Sequence, residues 1–133
     1  MKYLLYVFYI EIALTLVSGV QAFFTPAAFI AQFSDTPAPT LASEMARWYA
    51  VLLFVIAYLL YRALRTRGTV LTIVLQALLI GDVIHIVAAV VTANALGRWP
   101  LVVIASIVIS IVLGVIRVIC LWRPQQVGIE RVA

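Results

Sequence analysis

One cysteine and one histidine in 133 residues leave little material for metal or redox chemistry. Cys120 has no second cysteine to bond within the chain, and no CxxC or Cys/His cluster has metal-ligand spacing, so disulfide scaffolds and zinc sites are disfavoured. Charge is scarce as well. Charged residues make up 11% of the chain, whereas a soluble domain carries roughly a quarter and needs them to wet its surface. Soluble enzymes and DNA-binding domains are thereby excluded. What fills the chain instead is apolar: 66% of the residues are hydrophobic and the mean hydropathy is +1.20. That composition belongs to an integral membrane protein.

A helical span of bilayer hydrocarbon needs about 20 mainly apolar residues, because an unpaired backbone group in lipid costs several kcal/mol. Four segments qualify, at about 3–24, 47–64, 70–91 and 101–121. The runs are too long for barrel strands and lack period-two alternation. Short connections at 65–69 and 92–100 predict antiparallel neighbours. The expected fold is an all-α four-helix up-down bundle forming a single transmembrane domain. Lys2, the apolar run behind it and the small residues near Ala22 resemble a signal peptide, but Glu11 inside the run argues for a retained first span.

With the amino terminus inside, Lys2, Arg62, Arg65, Arg67, Arg117, Arg123 and Arg131 gather on the cytoplasmic side, leaving Arg47 and Arg98 outside. The positive-inside rule then places both termini in the cytoplasm, the basic excess is explained without a nucleic-acid partner, and a prokaryotic inner membrane is the expected location. Trp48 and Trp99 would mark the outer interface and Trp122 the inner one. The long outer connection, 25–46, opens with a short apolar stretch behind Pro26 that predicts an interfacial helix, and Ser43 is a candidate cap for the second span.

Ionisable groups within a span cost from about 2.5 kcal/mol upward, so each needs a partner, a wet cavity or a function. On the first span Glu11, Thr15, Ser18 and Ala22 share a face. On the third, Asp82 and His85 stand at i, i+3, where the acid can orient the imidazole or both can hydrogen-bond a ligand. The fourth carries Ser106, Ser110 and Gly114 at four-residue steps, a seam for tight packing within the chain or with another subunit, and returns to that face at Arg117. Depth along the helices suggests a structural ion pair between Glu11 and Arg117. Arg47, Phe54, Tyr58, Tyr61 and Arg65 form an aromatic-basic stripe on the second span, and Arg47 and Tyr58 are candidates to complete a polar site with Asp82 and His85.

The stretch Phe24 to Leu64, with Phe24-Thr25-Pro26, a Pro-containing loop and Arg47 opening a long apolar helix, together with Gly81-Asp82-Val83-Ile84-His85, resembles the DoxX-like group of small four-helix membrane proteins. The resemblance implies a four-helix bundle, and some members of that group serve as subunits of membrane oxidoreductases. It implies no catalytic residue.

Three functions compete. The first is binding of an apolar or amphipathic small molecule in a pocket with Asp82 and His85 at its polar end. The second is an accessory subunit or homo-oligomer using the Ser106/Ser110/Gly114 seam. The third is a lipid or isoprenoid isomerase or cyclase in which His85 acts as acid and base, oriented by Asp82, with Glu11 as a second acid. Ligation of haem or a pigment by His85 is a further alternative, and a transporter is disfavoured because four helices leave little room for alternating access.

Overall fold

A computed structural model of the chain describes residues 3–34, 37 and 39–124. Among them the regular structure is entirely helical: α1 (Leu4–Phe24), the short α2 (Pro26–Ile30), α3 (Thr40–Thr66), α4 (Gly68–Ala95) and α5 (Leu101–Trp122). The four long helices are each long and apolar enough to cross a bilayer. Their exposed positions are dominated by Leu, Ile, Val, Phe and Tyr, the surface that lipid requires and water does not tolerate. The protein is a multi-pass membrane protein.

Two compact units divide the chain. Tyr6–Arg62 forms the first, and the second comprises the start of α1 with everything from Ala63 onward. Within the first unit Gly19 of α1 meets Phe54 of α3. A Cβ added to Gly19 would stand 2.8 Å from Cε1 of Phe54, and Ala46, Ala50 and Ala57 are buried along α3 at spacings of a helical seam. Of the aromatic stripe read from the sequence, Phe54 lies at this contact, while Tyr58 and Tyr61 are exposed. Phe23 packs near Phe54, with ring centroids 6.5 Å apart, and Phe29 of α2 reaches Tyr49 of α3 at 6.1 Å. The expected short helix is present behind Pro26, and Thr25 precedes it, its amide and hydroxyl both donating to the Gln21 carbonyl.

Two boundaries differ from the sequence expectation. The second long helix starts at Thr40 rather than near Arg47, because 40–46 contains no glycine or proline and follows Pro39, a residue that readily precedes a helix. Ser43 therefore does not cap the helix; its amide already donates to the Pro39 carbonyl within the first turn. Further on, α3 and α4 are separated by Arg67 alone. Arg67 has φ 62° and Gly68 φ 58°, and two successive left-handed residues break the helical path without a longer loop.

In the second unit α4 and α5 form an antiparallel hairpin joined by Leu96–Pro100. Register follows from the short link. Asp82 and Gly114 lie equally far along their helices from it, about 20 Å at helical rise, and they face one another: a Cβ on Gly114 would be 3.7 Å from Asp82 Oδ2 and 3.7 Å from Leu79 Cδ1.

Candidate functional site

The α4–α5 hairpin buries a charge pair. Arg117 Nη1 donates to Asp82 Oδ2. The Arg117 side chain is only 1% exposed and that of Asp82 14%, so the cation is enclosed while the carboxylate keeps an open edge. Asp82 is near the midpoint of the 28-residue α4, the depth at which an unpaired charge is most costly. Each charge offsets the other there, and removing one alone leaves a buried ion.

The backbone explains how Arg117 reaches that depth. Its Cα is five residues from the end of α5, only about 8 Å along the axis. Side chains lean toward the N-terminus of their own helix, which on α5 is toward the link and away from the near end. The Arg117 head therefore turns inward to Asp82. The sequence reading assigned Arg117 to Glu11 from depth alone; on the α4–α5 hairpin Arg117 is bonded to Asp82. The signal that identifies Asp82 is the length of the α4–α5 link, which sets which residues stand opposite.

His85 follows Asp82 by three residues on α4 and is exposed. It makes no hydrogen bond to another described residue. Of the four residues expected to form a polar site, the structure thus brings Asp82 and His85 together and adds Arg117. Arg47 and Tyr58 are in the first unit. Arg47 is bonded to Glu44 one turn earlier on α3, and Tyr58 is 61% exposed.

The Ser106/Ser110/Gly114 seam is occupied within the chain. Ser110 and Gly114 are buried, Gly114 lies against Asp82 and Leu79, and Ser106 returns its hydroxyl to the Val103 carbonyl at 2.9 Å. Within the chain, small residues thus bring α5 against α4 at Gly114. Among the described residues no group of three or more His, Cys, Asp or Glu is arranged to hold a metal ion. No family model, curated protein or solved structure matches the chain.

Proposed function

We propose that this multi-pass membrane protein binds an apolar or amphipathic small molecule, of lipid, isoprenoid or quinone-like chemistry, beside α4, with Asp82 and His85 meeting its polar end. The observation that carries this reading is the asymmetry of the ion pair. Arg117 is enclosed and fixes the carboxylate, while Asp82 retains an exposed edge next to an exposed imidazole at mid-helix. A carboxylate oxygen accepts a hydrogen bond from a ligand hydroxyl, and His85 donates to a carbonyl or accepts from a second hydroxyl. In hydrocarbon, water does not compete for these bonds.

Binding accounts for more of the geometry than acid–base catalysis does. Catalysis by His85 calls for an acid that orients the imidazole, whereas the hydrogen bond of Asp82 goes to Arg117 and His85 makes none to a described residue. The test is native mass spectrometry of protein purified from membranes in mild detergent. Asp82→Asn keeps an acceptor for Arg117 but removes the charge, and His85→Gln removes the imidazole; the double variant should lose a co-purifying small molecule that the parent carries. An identical adduct spectrum from parent and variant refutes the reading.

A further inference from the structure

We infer that the end of the α4–α5 hairpin remote from the Leu96–Pro100 link binds the phosphate of an anionic phospholipid, with Arg65, Arg67 and Arg123 as its cationic partners. Arg65 and Arg67 stand at the break between α3 and α4, and Arg123 follows the last residue of α5. All three belong to one compact unit, and the antiparallel course of α4 and α5 brings them to the same end of it. Among the described residues of that unit the only acid is Asp82, which is bonded to Arg117 about 21 Å along α4 from Gly68 at helical rise. None of the three arginines makes an ion pair with a described residue. Cations gathered without a counter-ion draw one from outside the chain.

Orientation in a bilayer requires basic residues on one side, but at no particular position. Arg67 is placed more closely than that. Its φ of 62° is a conformation that glycine adopts freely and a β-carbon opposes. Its side chain is half-buried, with Nη1 enclosed and lacking a hydrogen-bond acceptor. A guanidinium does not give up its proton to relieve such a position, so the charge persists, and an anion against the open part of the group is what offsets it. Phosphate oxygens match the guanidinium fork and bind it by charge-assisted hydrogen bonds. A strained backbone and a half-enclosed charge at the same residue mark a side chain held for a contact.

Depth selects a phospholipid as the source of that phosphate. Of the two helices, α4 has 28 residues and α5 has 22, so from their shared link α4 continues about 9 Å beyond α5 at helical rise. One headgroup layer of a bilayer is roughly 5–8 Å deep. Trp122, 83% exposed beside Arg123, carries the amphipathic ring that settles at the border of hydrocarbon and headgroups. Arg123 thus stands at the inner border of the layer and Arg65 and Arg67 at its outer border, with the phosphate level between them. Deeper along the hairpin, Ile80, Val112 and Val115 present exposed apolar surface for acyl chains. A free phosphate ion would use the arginines and leave that surface idle. Basic clusters of this kind at helix ends recognise anionic headgroups. The site includes neither Asp82 nor His85 and does not rest on the ligand reading.

The test is native mass spectrometry of the full chain in mild non-ionic detergent, titrated with phosphatidylglycerol and with phosphatidylcholine of the same acyl chains. The parent should bind phosphatidylglycerol at least about tenfold more tightly, and Arg65→Gln, Arg67→Gln and Arg123→Gln should each lower that preference by about two- to fivefold. The triple variant should bind the two lipids alike. Arg98→Gln removes the same charge within the link and should leave the preference unchanged. Arg67→Gly removes the guanidinium while relieving the backbone, so it should lose as much binding as Arg67→Gln yet melt no lower than the parent in lipid-free detergent, which separates loss of the site from loss of the fold. Excess inorganic phosphate should not displace the lipid. Equal affinity of the parent for both lipids, an equal loss from Arg98→Gln, full binding by Arg67→Gly, or displacement by inorganic phosphate overturns the inference. The variant combining Asp82→Asn and His85→Gln should keep the preference, which distinguishes this result from failure of the ligand reading.

Discussion

The unit built from α1 and α3 and the unit built from α4 and α5 hold their helices together by different means. The first relies on shape: Gly19 receives the edge of Phe54, and a row of buried alanines runs along α3. In the second, Asp82 and Leu79 stand over Gly114, but the bond that joins the helices is an ion pair, Arg117 to Asp82. Lipid tails are as apolar as leucine, so helices gain nothing by hiding apolar surface from one another, and close packing and polar bonds remain as the attractive forces. The two units use one each. A fit of surfaces degrades gradually as atoms are added or removed, whereas a buried charge pair fails abruptly when one member is lost.

The sharpest way to break the comparison is to remove one charge. Asp82→Leu removes the carboxylate that the enclosed Arg117 guanidinium donates to and should destabilise the protein by about 3–5 kcal/mol, the range for breaking a buried pair from one side. Arg117→Leu should cost less, because the Asp82 side chain is 14% exposed against 1% for Arg117. Replacing both residues by leucine should restore most of the loss, since two apolar side chains of similar volume replace two charges. Thermal melting in detergent checks all three; additive losses in the double variant would show that the pair does not act as a unit.

Packing variants come next in size. Gly19→Val places side-chain atoms where Phe54 already stands, 2.8 Å from the first added carbon, and should cost about 1–3 kcal/mol as overpacking does. Gly114→Ala meets its neighbours at 3.7 Å, ordinary contact distance, and should lie within about 1 kcal/mol of the parent, on the stabilising side by helix propensity. Opposite signs for Gly19→Val and Gly114→Ala in the same melting assay would confirm that the two glycines serve different kinds of contact. Equal losses would remove the distinction between the units.

The four spans were legible because hydropathy and length decide them: a run of about 20 apolar residues has few other uses. The helix ends were less so, since the Thr40 to Ala46 segment is polar enough to look like loop yet contains nothing that stops a helix. Asp82, His85 and Arg117 were recognisable singly from their rarity in a span. Asp82 and His85 were also grouped by their i, i+3 spacing, but the pairing of Arg117 with Asp82 was not, because it depends on which residues stand opposite across the hairpin and on the direction in which Arg117 leans. The α3 packing face was missed for a related reason: Tyr58 and Tyr61 are conspicuous in the sequence, while Ala46, Ala50 and Ala57 carry no chemistry beyond being small. In a bilayer, conspicuous aromatics face outward as readily as inward, and smallness marks the contact.

The smallest expected effect sharpens the comparison from the other side. Glu44 and Arg47 form an ion pair one turn apart near the start of α3, with Arg47 44% and Glu44 51% exposed. Its chemistry is that of Asp82 and Arg117, carboxylate to guanidinium, but both members remain solvated when the bond breaks. Neither is stranded, so Glu44→Gln should change stability by no more than about 0.5 kcal/mol, in line with exposed helix pairs. Salt should reduce even that, because the Debye length is about 8 Å at physiological ionic strength. Melting Glu44→Gln and Asp82→Leu side by side at low and high salt therefore isolates burial as the variable. If Glu44→Gln proves as damaging as Asp82→Leu, the start of α3 is enclosed in the membrane protein as it stands in a bilayer, and the contrast between an exposed and an enclosed pair fails.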